Sequence, residues 1–280
     1  MFIILSNEEM SECESCKFNN PKGTVTALII RDGELLILKR NQEPHRGSWD
    51  LPGGYMQAFE EPEQAMRREL KEELGVTALP IPVRAFPGEA EWKGQKHAVL
   101  NHVFLVDIGE QVISLDGENS DYRFTPLADI DVTKVAFDSN RAALEFAKRK
   151  FSGFPAEPVK QLVWQLDPSG TVNEQSVYRA ILNGHVVKAE RNGELVGMGW
   201  IFVRQTLLRK QAVIEDMIVD ERCRGRGIGR EILQELIRWA KKAGVEVIEL
   251  TSGSHRVVAN QLYKSAGFKL HPTNHYLLKL

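Results

Sequence analysis

The chain has only three cysteines in 280 residues, and its 36 Lys+Arg against 38 Asp+Glu leave a formal charge of −2. Each scarcity excludes something. Three cysteines cannot build a disulfide framework, which predicts a reducing compartment. No window reaches the ~18 consecutive apolar residues of a membrane span. The opening apolar run, Met1 to Leu5, turns acidic at Asn7, Glu8 and Glu9 and has no basic stretch before it, so no secretory signal is expected. These absences predict a cytoplasmic protein. A near-neutral balance offers no general attraction to nucleic acid or to an anionic membrane, so neither is expected as a partner. No internal repeat is present, and the two halves share no period.

The length suggests about two domains at roughly 150 residues each. From Gly23, apolar Val25, Ala27 and Ile29 alternate up to Asp32-Gly33, a hairpin signal, and Leu35 to Leu38 return as the partner strand. After Trp49-Asp50-Leu51-Pro52-Gly53-Gly54, a helix is predicted from Pro62 to Leu74, with proline near its start and Gly75 past its end. Strands are expected around Val83 to Phe86 and His97 to Val106, and a helix near Asn140 to Lys150. Phe151 to Pro158, with one glycine and two prolines, reads as the boundary, giving domains 1–152 and 158–280. Beyond it come a helix near Val172 to Leu182, a hairpin from Val186 to Ile201 turning at Asn192-Gly193, and a buried strand from Ala212 to Val219. An amphipathic helix from Ile228 to Ala243, a strand from Val245 to Leu250 and a helix from Val257 to Ala266 complete the pattern. Both units are α/β.

Cys13-x-x-Cys16 has no second pair at ribbon spacing, the remaining cysteine being Cys223, and no βαβ pattern frames it. A metal-free turn is expected there, ahead of a zinc site or a redox pair.

On the Pro62–Leu74 helix, Glu69, Glu72 and Glu73 stand at i, i+3 and i+4, on one face beside the Met66, Leu70 and Leu74 stripe. Such a cluster is either a solvated acidic face or a site for cations. Oxygen ligands alone select hard ions, Mg²⁺ or Mn²⁺, commonly shared with substrate phosphates. Gly53-Gly54 would let a backbone carbonyl approach the same ion. The longer pattern decides between the two: Gly54, five residues, Glu60, seven residues, Arg68-Glu69-Leu70, one residue, Glu72-Glu73, one residue, Gly75-Val76. It resembles the Nudix box of the Nudix hydrolases at every defined position, and the resemblance covers roughly Gly23 to Lys150. It implies an α/β/α sandwich with a mixed sheet, and hydrolysis of a nucleoside diphosphate linked to another moiety. It further implies Glu69, Glu72, Glu73 and the carbonyl of Gly53 as metal ligands. Arg68 would hold the catalytic helix, Glu60 would support it by charge pairing, and Glu69 would be the base, with Glu118 as alternative. Cys13/Cys16 resembles members related to NADH pyrophosphatases, but their Ser-Gln-Pro-Trp-Pro-Phe element is absent. ADP-ribose or a similar ADP-sugar is the substrate expected.

In the second half, Arg222-Cys223-Arg224-Gly225-Arg226-Gly227-Ile228-Gly229-Arg230 joins a buried strand to the amphipathic helix. Alternating glycines free converging N–H groups and the helix N-terminus adds positive potential, so an anion site is expected, strengthened by the arginines. The spacing fits neither a Rossmann fingerprint nor a Walker loop, and no aromatic interleaving supports a nucleic-acid surface. Arg224-x-x-Gly227-x-Gly229 resembles the pyrophosphate loop of the GNAT acetyltransferases. The strand Ile214 to Val219, Asn260, Leu262-Tyr263 and Gly267-Phe268 are also similar to that superfamily, over roughly Lys160 to Leu280. The resemblance implies a mixed, mostly antiparallel sheet flanked by helices, with acetyl-CoA as co-substrate. The main chain of Met217, Ile218 and Val219 would pair with pantetheine, and Arg224, Gly225, Arg226, Gly227, Ile228, Gly229 and Arg230 would grip the pyrophosphate. Tyr263 would be the general acid and Glu215 the base toward an unnamed amine. The whole then reads as a bifunctional enzyme. The alternative is one catalytic unit regulated by a ligand-sensing neighbour, and a homodimer is left open.

Overall fold

A computed structural model describes residues 20–92, 95–154, 156–170, 172–276 and 278; the Cys13/Cys16 segment lies outside them. The chain divides into two compact units, Met1–Pro155 and Ala156–Leu280.

The first unit runs β1 (Lys22–Arg31), β2 (Glu34–Arg40), β3 (Trp49–Asp50), β4 (Gly53–Tyr55), α1 (Pro62–Leu74), β5 (Ile81–Trp92), β6 (Gln95–Val106), β7 (Asn119–Pro126) and α2 (Asp138–Phe151). The seven strands form one sheet along the path β3-β2-β1-β6-β5, with β4 on β1 and β7 on β2. Only the β1–β6 pairing in it is parallel. Alternation along β1 splits the two faces. Val25, Ala27 and Ile29 join Met66, Leu70 and Leu74 of α1 in one core cluster, whereas Thr26, pointing the other way, bonds to Asn140 of α2. The sheet therefore lies between two helices. Each of those three α1 side chains is fully buried, and each stabilises the unit by roughly 1.5–3 kcal/mol.

The α1 helix starts and stops as its sequence directs. Pro62 occupies the first turn, Gln64 accepts from the Glu61 N–H at 3.0 Å, and the chain leaves through Gly75 at φ 68°. Strand β5 is longer than the predicted Val83–Phe86 because it ends the sheet, where Pro82 and Pro87 need no second set of ladder bonds. Strand β7 was not expected, since five of its eight residues are exposed and no apolar alternation marks it.

The second unit comprises α3 (Ala156–Leu166), α4 (Glu174–Asn183), β8 (Gly184–Arg191), β9 (Glu194–Gln205), β10 (Lys210–Val219), α5 (Ile228–Lys242), β11 (Val247–Leu250) and α6 (Val257–Ser265). Helix α3 was not expected from the sequence and begins inside the Phe151–Pro158 boundary. Pro158 sits in its first turn, where a missing N–H costs nothing. The sheet is ordered β11-β10-β9-β8, parallel only between β10 and β11. Ile228, Ile232, Leu233 and Leu236 of α5 pack on Val196, Ile201, Ala212 and Ile214.

Two irregularities in β10 open its C-terminal end. Pairing with β11 stops at Ile214, and a bulge with Asp216 at φ 49° sets two residues opposite Gly199. Residues 215–219 thus have no strand neighbour on the β11 side among the described residues. No described helix is long and apolar enough to cross a membrane.

Candidate active sites

In the first unit, Arg68 is the centre of the charge network. Its Nε and Nη2 donate to the two Glu60 carboxylate oxygens at 2.9 and 3.0 Å. Nη1 donates to Glu69 and Glu72 at 2.7 and 2.9 Å, and Nη2 also reaches the Tyr55 carbonyl at 3.0 Å. These bonds, with Glu60 foremost, raise the Arg68 pKa and hold Glu60 below the usual carboxylate range. The same guanidinium therefore ties the helix to the segment leading from β4.

Glu73 is held differently. The Gly53 N–H donates to it at 2.8 Å and the Asn119 amide at 3.2 Å. Burial pushes its pKa up to about 8 against those bonds, and burial also raises Glu69 against its contact with Arg68. The glycine pair creates the space: a Cβ on Gly54 would lie 2.6 Å from a Glu69 oxygen, and one on Gly53, at φ 143°, would clash with the Val25 carbonyl. Gly53, Glu69, Glu72, Glu73 and Glu118 line one cavity of about 440 Å³.

Among the described residues no three His, Cys, Asp or Glu side chains are grouped as a metal site; Arg68 engages Glu69 and Glu72, and Gly53 and Asn119 engage Glu73. The donor chemistry nonetheless fits a hard divalent cation. The ligands are oxygens only, and Glu69 and Glu73 are each 9% exposed, with ionisation that burial disfavours and a cation would restore.

Beyond the glutamates, the cavity has a polar wall that sequence reasoning missed. Asn140 donates to Asp50 at 2.7 Å and accepts from Thr26 and Asn101 at 2.9 and 2.8 Å. Burial pushes Asp50 up to about 6. Thr26, Arg40, Asp50 and Asn140 all line the cavity.

In the second unit, a cavity of about 1110 Å³ is lined by the 217–219 stretch of β10, by Arg224, Gly225, Gly227, Ile228, Gly229 and Arg230, and by Tyr263. Gly225 and Gly227 take φ 77° and 85°, and Gly227 caps α5. The N–H groups of residues 225–229 have no protein acceptor among the described residues, the first helical bond being made by Arg230. They form a backbone anion cradle at a helix start.

The arginines divide. Arg222 is bound through Nε and Nη2 to Asp220, both at 3.0 Å, which holds Asp220 down at about 2. Arg222 does not line the cavity. Arg224 lines it while donating from Nε to the Val219 carbonyl at 3.1 Å, and Arg226 is not among the lining residues.

Tyr263 is half-buried, its pKa raised by burial, with its ring edge-on to Phe268. Glu215 and Asn260 are not brought into the cavity. Burial and the neighbouring Asp216 raise Glu215, and Asn260 donates to the Gly253 carbonyl at 2.9 Å, bracing the loop before α6. His255 and Arg256, unmarked by any motif, do line the cavity, and Arg256 reaches the Leu166 carbonyl at the end of α3 at 2.9 Å.

Residues 21–146 match the NUDIX domain model, and residues 157–268 match that of the Acetyltransferase (GNAT) family. The chain belongs to the Nudix family through its first unit and carries a GNAT-family domain in its second. An ADP-ribose pyrophosphatase of Methanocaldococcus jannaschii is 26% identical over 131 residues, 47% of this chain and 76% of that protein. An 8-oxo-dGTP diphosphatase of Proteus vulgaris is 33% identical over 88 residues, 25% of this chain and 79% of that one. An uncharacterized N-acetyltransferase of M. jannaschii is 36% identical over 85 residues, 29% of this chain and 37% of the relative, so the chain spans well under half of it.

Proposed function

We propose that the first unit hydrolyses, with Mg²⁺ or Mn²⁺, a nucleoside diphosphate linked to another moiety, ADP-ribose or a similar ADP-sugar, and that the second transfers an acetyl group from acetyl-CoA to an amine. The hydrolase reading rests on Gly53-Gly54 meeting the buried carboxylates of Glu69 and Glu73 in one cavity. The matched ADP-ribose pyrophosphatase favours the substrate class. Glu69, Glu72, Glu73 and the Gly53 carbonyl would hold the cation. When bound, it neutralises diphosphate charge and lowers the pKa of a water. Water adds to phosphorus, the bond to the bridging oxygen breaks, and Glu69 takes the proton, with Glu118 on the same cavity as the alternative base. Arg68 and Glu60 fix the helix that carries these groups.

The transferase reading rests on the partnerless N–H groups of residues 225–229, four of which, Gly225, Gly227, Ile228 and Gly229, line a cavity that also contains the open edge of β10. The cradle would take the pyrophosphate, and residues 217–219 would pair with the pantetheine amides. The amine attacks the thioester carbonyl, the carbon–sulfur bond breaks, and Tyr263 protonates the departing thiolate. Glu215, outside the cavity, would act through water.

The test uses the full chain. Phosphate-ester release is measured across ADP-ribose, other ADP-sugars and nucleoside triphosphates with each cation, and thiol release from acetyl-CoA across a panel of amines. Turnover in both assays is the expected result. No hydrolysis of any nucleotide with either ion sinks the first assignment. Acetyl-CoA binding without transfer to any amine leaves the second unit as a sensor, the alternative reading.

A further inference from the structure

The charge that lines the cavity of the second unit has one sign. Arg224, Arg230 and Arg256 line it, with His255 next to Arg256, and among the described residues no Asp or Glu does. Arg224 and Arg230 flank the backbone cradle of residues 225–229. His255 and Arg256 stand apart from it, on the segment between β11 and α6. That segment is braced from three sides. The Asn260 amide and the Arg256 N–H both donate to the Gly253 carbonyl, at 2.9 and 3.0 Å, and Arg256 Nη2 donates to the Leu166 carbonyl at 2.9 Å. A side chain on Gly253 would come within 2.6 Å of the His255 ring, so the glycine lets the imidazole lie against the loop. Both side chains are thus held in place, yet neither meets an anion. Among the described residues Arg256 has no ion pair and the His255 side chain no hydrogen bond.

Arg256 is also near Tyr263: burial raises the Tyr263 pKa, and the Arg256 charge opposes that rise. This places the guanidinium along the ligand. Coenzyme A carries its third phosphate on the ribose, beyond the pyrophosphate, whereas Tyr263 is assigned to the thiolate at the other end. A cation beside Tyr263 therefore faces the place where acyl group and acceptor meet, and the acetyl group is neutral. We infer that the amine accepted by the second unit bears a carboxylate, held by Arg256 with His255 beside it. The inference rests on the transferase reading. The planar fork of arginine takes both oxygens of a carboxylate in charge-assisted hydrogen bonds. A polyamine would meet three guanidinium groups in this cavity and no counter-charge. The acceptor class is thereby narrowed from amines in general to amino acids and related amino carboxylates.

Thiol release from acetyl-CoA by the full chain is measured on L-amino acids and on their α-amides, which keep the amine and lose the carboxylate. The acid of the best pair should exceed its amide by about tenfold or more in kcat/KM. R256Q should erase that preference through the KM of the acid, with kcat held within about twofold. R256K, which keeps the charge without the fork, should recover part of it. The acetyl-CoA Kd of R256Q, by calorimetry, should move less than about twofold. Preference for amides or diamines over amino acids overturns the inference. So does an R256Q loss that appears as weaker acetyl-CoA binding and disappears with 3′-dephospho-acetyl-CoA, which assigns Arg256 to the third phosphate. Preference for succinyl-CoA over acetyl-CoA, lost in R256Q, overturns it in favour of a carboxylate on the acyl group. If acetyl-CoA binds and no amine is acetylated, the CoA-loaded protein is titrated with N-acetylglycine and N-acetyl-L-glutamate. Binding that R256Q weakens about tenfold then sustains the site, and no binding refutes it. Failure of acetyl-CoA to bind at all removes the transferase reading, and the inference with it.

Discussion

The two proposed sites would handle phosphate with opposite materials. In the first, the charged groups of the catalytic helix are side chains that are already engaged: Arg68 with three glutamates, Glu73 with Gly53 and Asn119. In the second, the cradle is main chain, and its N–H groups from 225 to 229 have nothing opposite them. A carboxylate cluster carries negative charge toward a negative substrate, so it functions only with a cation between them. A helix start with glycines at φ 77° and 85° carries the right sign without help. The first site is therefore held by side-chain contacts that a cation would have to displace, whereas the second is open in advance.

The sharpest break between the two would come from Glu72→Gln. Glu72 keeps half its side chain in solvent, and its one ion pair, to Arg68, is a surface pair of at most about 1 kcal/mol, so the fold should survive. Cation-dependent hydrolysis should fall by roughly 10²–10⁴. Acetyl-CoA affinity, measured on the same sample by calorimetry, should not move. Full hydrolysis in the variant would remove Glu72 from the ligand set.

The reciprocal variant is Gly227→Glu. It places a carboxylate at the cap of α5 and forces φ 85° on a residue with a Cβ. Acetyl-CoA binding should weaken by about 100-fold or more, equivalent to about 3 kcal/mol, while hydrolysis by the first unit stays within error. An unchanged Kd would show that the cradle is not where the pyrophosphate rests.

How much of this was legible in the sequence follows the same division. The glutamates of α1 announce themselves because helical spacing, a glycine pair before and a glycine after are all local signals. Asn119, which shares Glu73 with Gly53, does not. It lies on an exposed strand with no alternation, 46 residues from its partner. Asp50 and Asn140 are 90 residues apart and meet only because β3 and α2 close on the same face. Helix α3 was hidden by Pro158, a residue that both breaks and begins helices. In the loop, the glycine pattern marks the cradle, but the fate of Arg222 depends on Asp220, whose side chain also accepts from the Arg222 N–H at 2.9 Å. Spacing carries no information about that choice.

A smaller effect distinguishes the dry wall of the first unit from the wet loop of the second. Burial holds Asp50 near pH 6, above its ordinary value, so the folded state binds a proton more readily than the unfolded chain. Its contribution is therefore fully present below about pH 4 and is lost as pH rises through about 6, by at most about 3 kcal/mol. In thermal melts without metal, the parent chain should lose stability over that window and Asp50→Asn should flatten the loss. Asp220 in the second unit has the opposite sign, since Arg222 depresses it, so any stability it contributes is present above about pH 4 and fades as pH falls through about 2. A first unit whose melting is flat from pH 4 to 6 would place Asp50 in contact with water.

The smallest expected effect is the one that best tests whether the cradle is backbone or arginine. If the positive field came from side chains, Arg222 and Arg230 should matter alike. The structure separates them. The guanidinium of Arg222 is occupied by Asp220, is 70% exposed and stands outside the cavity wall, while Arg230 lies in that wall with no ion pair of its own among the described residues. Arg222→Gln should thus change acetyl-CoA affinity less than about twofold, its main consequence being release of Asp220 toward the ordinary aspartate range. Arg230→Gln should weaken binding by about three- to tenfold, the worth of one partly exposed charged contact. Both losses should shrink at high salt, since exposed charges are screened, whereas the N–H contribution that Gly227→Glu removes should persist. Equal effects of the two arginine variants, vanishing together in salt, would mean that the arginines and not the main chain hold the phosphate.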